Sequence, residues 1–303
     1  MAAVGVCALS MASGCTSPST SAQKPPIVMS ASPAAPLESL HLPIETYMPT
    51  PMQSAQLDWV NRAAIRSCMV RFGLDYPVPA KPATDSSVIT SAYSVLYRRY
   101  GVTDLDTVSQ WGYHLRRQTG TTAPTGEPQR LGDMSPETLI VLTGTDPTTQ
   151  APATMYKGQP VPKNGCLTEL ERVMTARRWQ AAGLVNEIKA KSFTDSVADG
   201  RVTAIFQKWS NCMKLRGYEL TDPLHAASAP SVSAAEPSGA EIAQAKADVA
   251  CKQETNLVGV WFAAESSYQQ AAIAEHSKEL TEIKAALDAQ VAEVKILVGK
   301  FQG

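Results

Sequence analysis

Over its 303 residues the chain sets 27 Lys and Arg against 28 Asp and Glu, a formal charge of −1, with 44% hydrophobic, 18% charged and 6% aromatic residues. That is enough apolar material for one or two modest cores, in a composition that is neither collagen-like nor disordered throughout. The near-neutral balance and a pI of 6.4 leave no basic footprint for nucleic acid.

Residues 1–14 carry no charge and form a short apolar run, read as a signal peptide, that ends in Met11-Ala12-Ser13-Gly14 directly before Cys15. This resembles the lipobox of bacterial lipoproteins, with Ala12 where that family usually has Leu and no Lys or Arg ahead of the run. The resemblance implies cleavage before the cysteine and a diacylglycerol on the Cys15 thiol. Residues 15–45 are expected to be the lipid-anchored tether: Ser, Thr, Pro and Ala dominate its first part, and Pro18, Pro25, Pro26, Pro33 and Pro36 exclude helix. No later stretch reaches the roughly 18 apolar residues that span a bilayer, so attachment would rest on the lipid, at the extracytoplasmic face of the membrane. The competing reading is an untargeted cytosolic chain.

Of six cysteines, Cys7 falls in the leader and Cys15 takes the lipid, which leaves Cys68, Cys166, Cys212 and Cys251. Outside the cell four cysteines allow three disulfide connectivities. A near-repeat favours one of them: Cys68-Met69 and Cys212-Met213 are followed at equal offsets by Gly73 and Gly217, Asp75 and Glu219, Pro79 and Pro223. Each cysteine therefore heads its own half, and the pairs expected are Cys68 with Cys166 and Cys212 with Cys251. In a cytosolic chain the four would be reduced thiols. Metal binding is not expected, since no CxxC exists and His41, His114, His225 and His276 stand isolated.

The elements follow in chain order. Thr50-Pro51-Met52-Gln53 reads as a capping box with proline in the first turn. Leu57, Val60, Ala64, Cys68 and Phe72 form the buried stripe of the helix it opens, and Gly73 closes that helix. Residues 74–87 are irregular, Val88 to Tyr100 reads as a helix stopped by Gly101, and Asp104 caps a short helix toward Trp111. A Gly, Thr and Pro-rich stretch follows over 118–134, then a short helix from Ser135-Pro136 to Gly144, then loop over 145–165. A long helix is expected from Cys166 to about Lys191, with a break near Ser192 to Thr194. The next helix carries Val202, Ile205, Phe206, Trp209, Cys212 and Met213 to Gly217, and Trp209 and Trp261 read as core anchors. After a Pro, Ser and Ala-rich connection over 221–238, Ser238 and Glu241 form a second capping box. No proline then occurs through Val298, so one long helix, or two meeting near Gly259, is expected. Leu280, Ile283, Leu287, Val291, Val294 and Val298 make a narrow seam, suited to packing on the chain's own helices or, as the second option, to a partner. The fold class is mainly α, a helical protein with two disulfide-linked halves, 46–191 and 192–303, and a long C-terminal helix.

Ser67-Cys68-Met69 through Phe72-Gly73, Arg98-Arg99-Tyr100-Gly101-Val102-Thr103-Asp104, Trp111-Gly112-Tyr113-His114, Val161-Pro162-Lys163-Asn164-Gly165-Cys166, Asn211-Cys212-Met213 through Gly217-Tyr218, and Ala247 to Cys251 with Trp261 and Glu265 together resemble a family of exported actinobacterial lipoproteins of unknown function. The resemblance implies a cell-envelope setting and assigns no catalytic residue.

Asp104, Tyr113, His114 and Arg116, with Arg117, form the densest polar and aromatic group, on a surface loop where a sugar or peptide could meet aromatic faces and Arg donors. Such a group also arises when a loop anchors its aromatics to the core. Paired arginines at 98–99, 116–117 and 177–178 read as solvated helix faces. Nothing in the linear order pairs His114 with a nucleophile, and no hydrolase motif is present. The expected function is a non-enzymatic extracytoplasmic lipoprotein, an interaction or accessory module of the envelope with a protein partner and no cofactor. The alternative is a ligand-binding lipoprotein serving a transporter or sensor, with its site in the 74–165 insertion.

Overall fold

The computed structural model describes residue 25 and residues 37–82, 87–115, 134–176, 183–228 and 236–301; Cys7, Cys15, Arg116, Arg117, Arg177 and Arg178 lie outside the described residues. The fold is helical, with ten α-helices among those residues: α1 (Pro51–Arg71), α2 (Ser87–Tyr93), α3 (Leu105–Trp111), α4 (Pro136–Thr143), α5 (Glu169–Val173), α6 (Leu184–Val197), α7 (Gly200–Leu215), α8 (Gly239–Thr255), α9 (Leu257–Glu275) and α10 (Ser277–Lys300). One two-stranded antiparallel hairpin, β1 (Met155–Tyr156) with β2 (Gln159–Pro160), turns at Lys157 and Gly158, both at positive φ. Among the described residues no helix is long and apolar enough to cross a membrane.

Local signals set most helix ends. Thr50 accepts from the Gln53 amide at 3.3 Å while Gln53 Oε1 accepts from the Thr50 amide at 2.8 Å, so both halves of the capping box close. Asp104, Ser135, Asp199 and Ser238 cap α3, α4, α7 and α8 through their side chains. The near-repeat is a shared helix ending: after Gly73 and after Gly217 the next amide returns to the carbonyl five residues back, Leu74 to Met69 at 3.2 Å and Tyr218 to Met213 at 3.0 Å.

Tertiary contacts override the sequence pattern elsewhere. The helix expected to Tyr100 ends at Tyr93, because Ser94 to Tyr100 folds into turns with Arg98 at φ 57°. The helix expected over 166–191 is split into a 3-10 turn at Cys166–Thr168, α5, and α6. The interruption is held by Glu293 of α10, whose carboxylate accepts from the Thr175 and Ala176 amides at 2.7 and 2.5 Å. The break expected at Ser192 to Thr194 falls instead at Ala198 and Asp199; Ser192 stays inside α6 and accepts from Gln269. The proline-free run forms three helices, interrupted at Asn256 in a left-handed conformation, three residues before Gly259, and again at His276. The long C-terminal helix is α10, 24 residues or about 36 Å.

Two disulfides anchor the two halves. Cys68 and Cys166 lie 5.6 Å apart at Cα and Cys212 and Cys251 5.7 Å apart, the expected pairs. The first bridge sits in a core of Ile65, Met69, Phe72, Val141, Leu142 and Tyr156; beside it Trp59, Val60 and Ala64 of α1 pack with Leu170 of α5 and Val294 and Leu297 of α10. The second bridge sits in the largest core, built by α6, α7, α8 and α9 around Trp209 and Trp261, both fully buried. Phe193, Phe206 and Tyr100 meet the Trp261 ring at 5.0 to 5.3 Å between centroids.

The halves are not contiguous in sequence. Residues 94–113, expected with the first unit, join the larger core through Leu96, Tyr100, Val102, Val108 and Tyr113, and α10 crosses back to α1. The expected division after residue 191 falls within α6. The expected tether also ends early, since Leu42 and Ile44 are 1% and 0% exposed in the larger core. The seam of α10 is covered from within: Leu280, Leu287 and Val294 are buried, and α1 and the 3-10 turn Pro43–Tyr47 pack on this helix.

Candidate functional site

The residues expected to bind a ligand are placed individually. Asp104 is exposed and spends its carboxylate as the cap of α3, accepting from the Thr107 amide at 2.7 Å. Tyr113 is 5% exposed, with its ring in the larger core. Its hydroxyl faces Asp248 and Gln244 without closing hydrogen-bond geometry on either, and burial, then the Asp248 charge, raises its pKa well above the ordinary tyrosine value. His114 turns inward, with Nδ1 2.9 Å from Glu241 Oε1. Tyr113 and His114 are thus brought together, whereas Asp104 points away into its own cap.

Glu241 explains the arrangement. At the third position of α8 it would complete a capping box with Ser238, but only Ser238 plays its part, accepting from the Glu241 amide at 3.1 Å. The carboxylate is diverted across the core to the Tyr113 amide, 2.8 Å away, and to His114. Gly112 makes the approach possible, since a Cβ there would lie 2.5 Å from Glu241 Oε1. Oε2 of Glu241 is buried without a hydrogen-bond partner among the described residues.

Arg98 and Arg99, expected on a solvated helix face, are structural clamps. Arg98 donates to the carbonyls of Tyr113 and His114, both at 2.5 Å, and so closes the loop that starts after α2. Arg99 is paired with Glu265, whose side chain is fully buried, through Nε at 2.9 Å and Nη2 at 2.5 Å to Oε1. Glu265 also accepts from the Tyr100 hydroxyl at 2.9 Å and from Gln269 Nε2 at 3.1 Å, and Arg99 reaches on to the Lys189 carbonyl at 2.8 Å. Burial, then the Glu265 charge, holds the Tyr100 pKa far above its usual range. Gln269 accepts from the Ile44 amide at 3.0 Å, so one carboxylate and one amide on α9 tie together residues 44, 99, 100 and 192.

Two turns along α8 from Glu241, Lys252 and Asp248 form a second buried ion pair, 3.0 Å long and 2% and 1% exposed at the side chains. Lys252 donates to the Val102 carbonyl at 3.0 Å and Asp248 accepts from Trp209 Nε1 at 2.9 Å. Burial pushes the Asp248 pKa up and that of Lys252 down, each against the pull of the other. Arg99 with Glu265 and Lys252 with the Val102 carbonyl join residues 166 and 150 apart in sequence, and no linear spacing announces them.

Cys212 is half-buried, its sulfur 3.3 Å from Glu254 Oε2, and Glu254 also pairs with Arg216. Cys212, Cys251 and Glu254 have donor atoms within 4.8 Å of one another, but both sulfurs are committed to the disulfide. A shallow groove between α1 and α10 is lined by Gln53, Leu57, Leu287, Gln290, Val291 and Val294, far in sequence from the Tyr113 and His114 group.

The fold and these clusters define a helical module stapled by two disulfides, with its buried charged groups spent on internal ties. Comparison with protein-family models, with curated proteins and with solved structures gives no match.

Proposed function

We propose that the chain is a lipid-anchored accessory module on the extracytoplasmic face of the cell envelope, non-enzymatic, that engages an envelope protein through its helical surface. The observation that carries this reading is the pair of disulfides, the first fully buried in its core and the second packed on the larger core with Cys251 buried and Cys212 half-buried. Such bonds persist in an oxidising compartment, and a chain with 6% aromatic residues gains most from them. The lipobox-like residues before Cys15 and the proline-rich stretch after it supply the anchor and the tether. The buried carboxylates Glu241, Asp248 and Glu265 accept from amides, rings and cations of the fold itself, which supports a scaffold more than a site of acid and base chemistry.

The test is made in intact bacteria expressing the full chain. Metabolic labelling with a fatty-acid analogue is expected to mark the wild type and not Cys15→Ala, and non-reducing peptide mapping is expected to return the two bridges. Cross-linking in those cells, followed by mass spectrometry, is expected to capture an envelope protein. An unlabelled, soluble chain with four free thiols overturns the reading.

A further inference from the structure

We propose that the corner between α6 and α7 is a docking site for the chain's own proline-rich N-terminal segment, which it grips by the backbone carbonyl of Pro25. The receptor is built entirely by the folded body. Asp199, 1% exposed, accepts from the Arg201 amide at 2.8 Å, from Arg201 Nε at 2.9 Å and Nη2 at 2.7 Å, and from the Tyr268 hydroxyl at 3.0 Å. Four donors on one buried carboxylate fix the plane of the guanidinium, whose side chain remains 34% exposed. Its outward edge then holds N–H groups already aimed at an acceptor, and the Pro25 carbonyl lies 3.3 Å from both Nη1 and Nη2.

A proline-rich strand suits such a fork. In extended polyproline geometry its carbonyls make no internal hydrogen bonds, and Pro25 and Pro26 bring no N–H group that would have to be satisfied in turn. Downstream, the chain is held to the same body where the Ile44 amide donates to Gln269, the neighbour on α9 of the Tyr268 that orients Asp199. Leu37 lies twelve residues beyond Pro25, so the Pro25 carbonyl meets the fork as an intramolecular contact, at the raised effective concentration that a short covalent link confers. On the reading that Cys15 carries a lipid, ten residues separate the lipid from Pro25, a reach of at most about 35 Å, which would hold the α6–α7 corner within that distance of the membrane.

The experiment uses the full chain with photoactivatable benzoylphenylalanine in place of Lys24. Irradiation is expected to join it to peptides around Asp199 and Tyr268, and Arg201→Ala is expected to lower that yield about tenfold, the loss of one charge-assisted contact. Because Arg201→Ala also strips a partner from buried Asp199, Pro25→Gly with Pro26→Gly is run beside it; this pair leaves the folded body intact and is expected to lower the yield several-fold. Cross-links scattered over the surface and indifferent to these changes overturn the proposal, as do links between light and heavy-isotope chains in a mixture. Repeating the irradiation on Cys15→Ala separates the two readings. An unchanged corner cross-link on a chain that never receives lipid supports docking and removes the anchor, whereas scattered links on an acylated chain do the reverse.

Discussion

Replacing Glu265 by alanine is expected to be among the most damaging single changes in this protein. The substitution leaves Arg99, whose side chain is 12% exposed, without its carboxylate and takes the acceptor from the buried Tyr100 hydroxyl and from Gln269. Removing one partner of a buried ion pair costs about 3–5 kcal/mol, and an orphaned buried hydroxyl adds about 1–3 kcal/mol before relaxation. With part of that recovered as water reaches Arg99, a net loss of about 4–5 kcal/mol is expected, a large share of the roughly 5–15 kcal/mol typical of a folded domain. Urea unfolding with both disulfides intact, followed by tryptophan fluorescence, reads the loss, since Trp261 lies 5.0 Å from Tyr100 in the core that opens. The double variant Arg99→Met with Glu265→Leu removes both charges and is expected to recover most of the stability, to within about 2 kcal/mol of wild type. The reasoning is refuted if Glu265→Ala costs less than about 1 kcal/mol at an unchanged denaturant slope, or if the double variant is no better than the single one.

Four further outcomes are expected from the same packing. Gly165, at φ +67°, would place a Cβ 2.3 Å from the Leu142 carbonyl oxygen and 2.5 Å from the Gly144 amide, both backbone atoms; Gly165→Ala is therefore expected to cost more than about 2 kcal/mol and to lower Tm by several degrees in calorimetry. Asp199 is held at about 2, below its ordinary 3.8, chiefly by the Arg201 guanidinium. A depressed carboxylate stabilises fully above its unfolded value and loses the effect as pH falls from about 4 to 2, so Asp199→Asn is expected to remove about 2 kcal/mol at pH 7 and to flatten the acid limb of a stability titration. Closing loops with separations of 98 and 39 residues stabilises by about 4.7 and 3.9 kcal/mol in the chain-entropy model, so Cys68→Ala with Cys166→Ala is expected to lose the more in guanidinium titration. Under mild reductant the order of reaction differs, because Cys212 is half-buried whereas Cys68 and Cys166 are fully buried; mass spectrometry of alkylated protein is expected to find the Cys212–Cys251 bridge open first.

What could be read from the sequence was whatever is written locally. Thr50, Asp104, Ser135 and Ser238 announce helix starts because a cap needs only three or four residues, and Gly73, Gly144 and Gly217 announce ends because positive φ is a property of one residue. The two cysteine pairs were legible through the near-repeat that gives each half its own copy of one helix ending. The interruptions after Val173 and at Asn256 were not legible, the first because Glu293, more than a hundred residues on, captures the amides of Thr175 and Ala176. Of the ligand-binding group, the pairing of Tyr113 with His114 was visible as neighbours, but Glu241, which turns both inward, lies 127 residues beyond His114. The short hairpin escaped because Lys157-Gly158 lacks the Asn or Asp that usually marks such a turn.

The return of α10 onto α1 has a consequence for how the chain emerges from a ribosome or a translocation channel. Trp59 and Val60 appear early, yet Val294 and Leu297, which cover them, arrive more than two hundred residues later. Until then one side of that helix stays bare, even where, on the proposed export, Cys68 and Cys166 have already met. Vectorial delivery thus makes the first bridge a scaffold that waits for its roof, and any holdase that escorts the nascent chain has the α1 surface around Trp59 as its target.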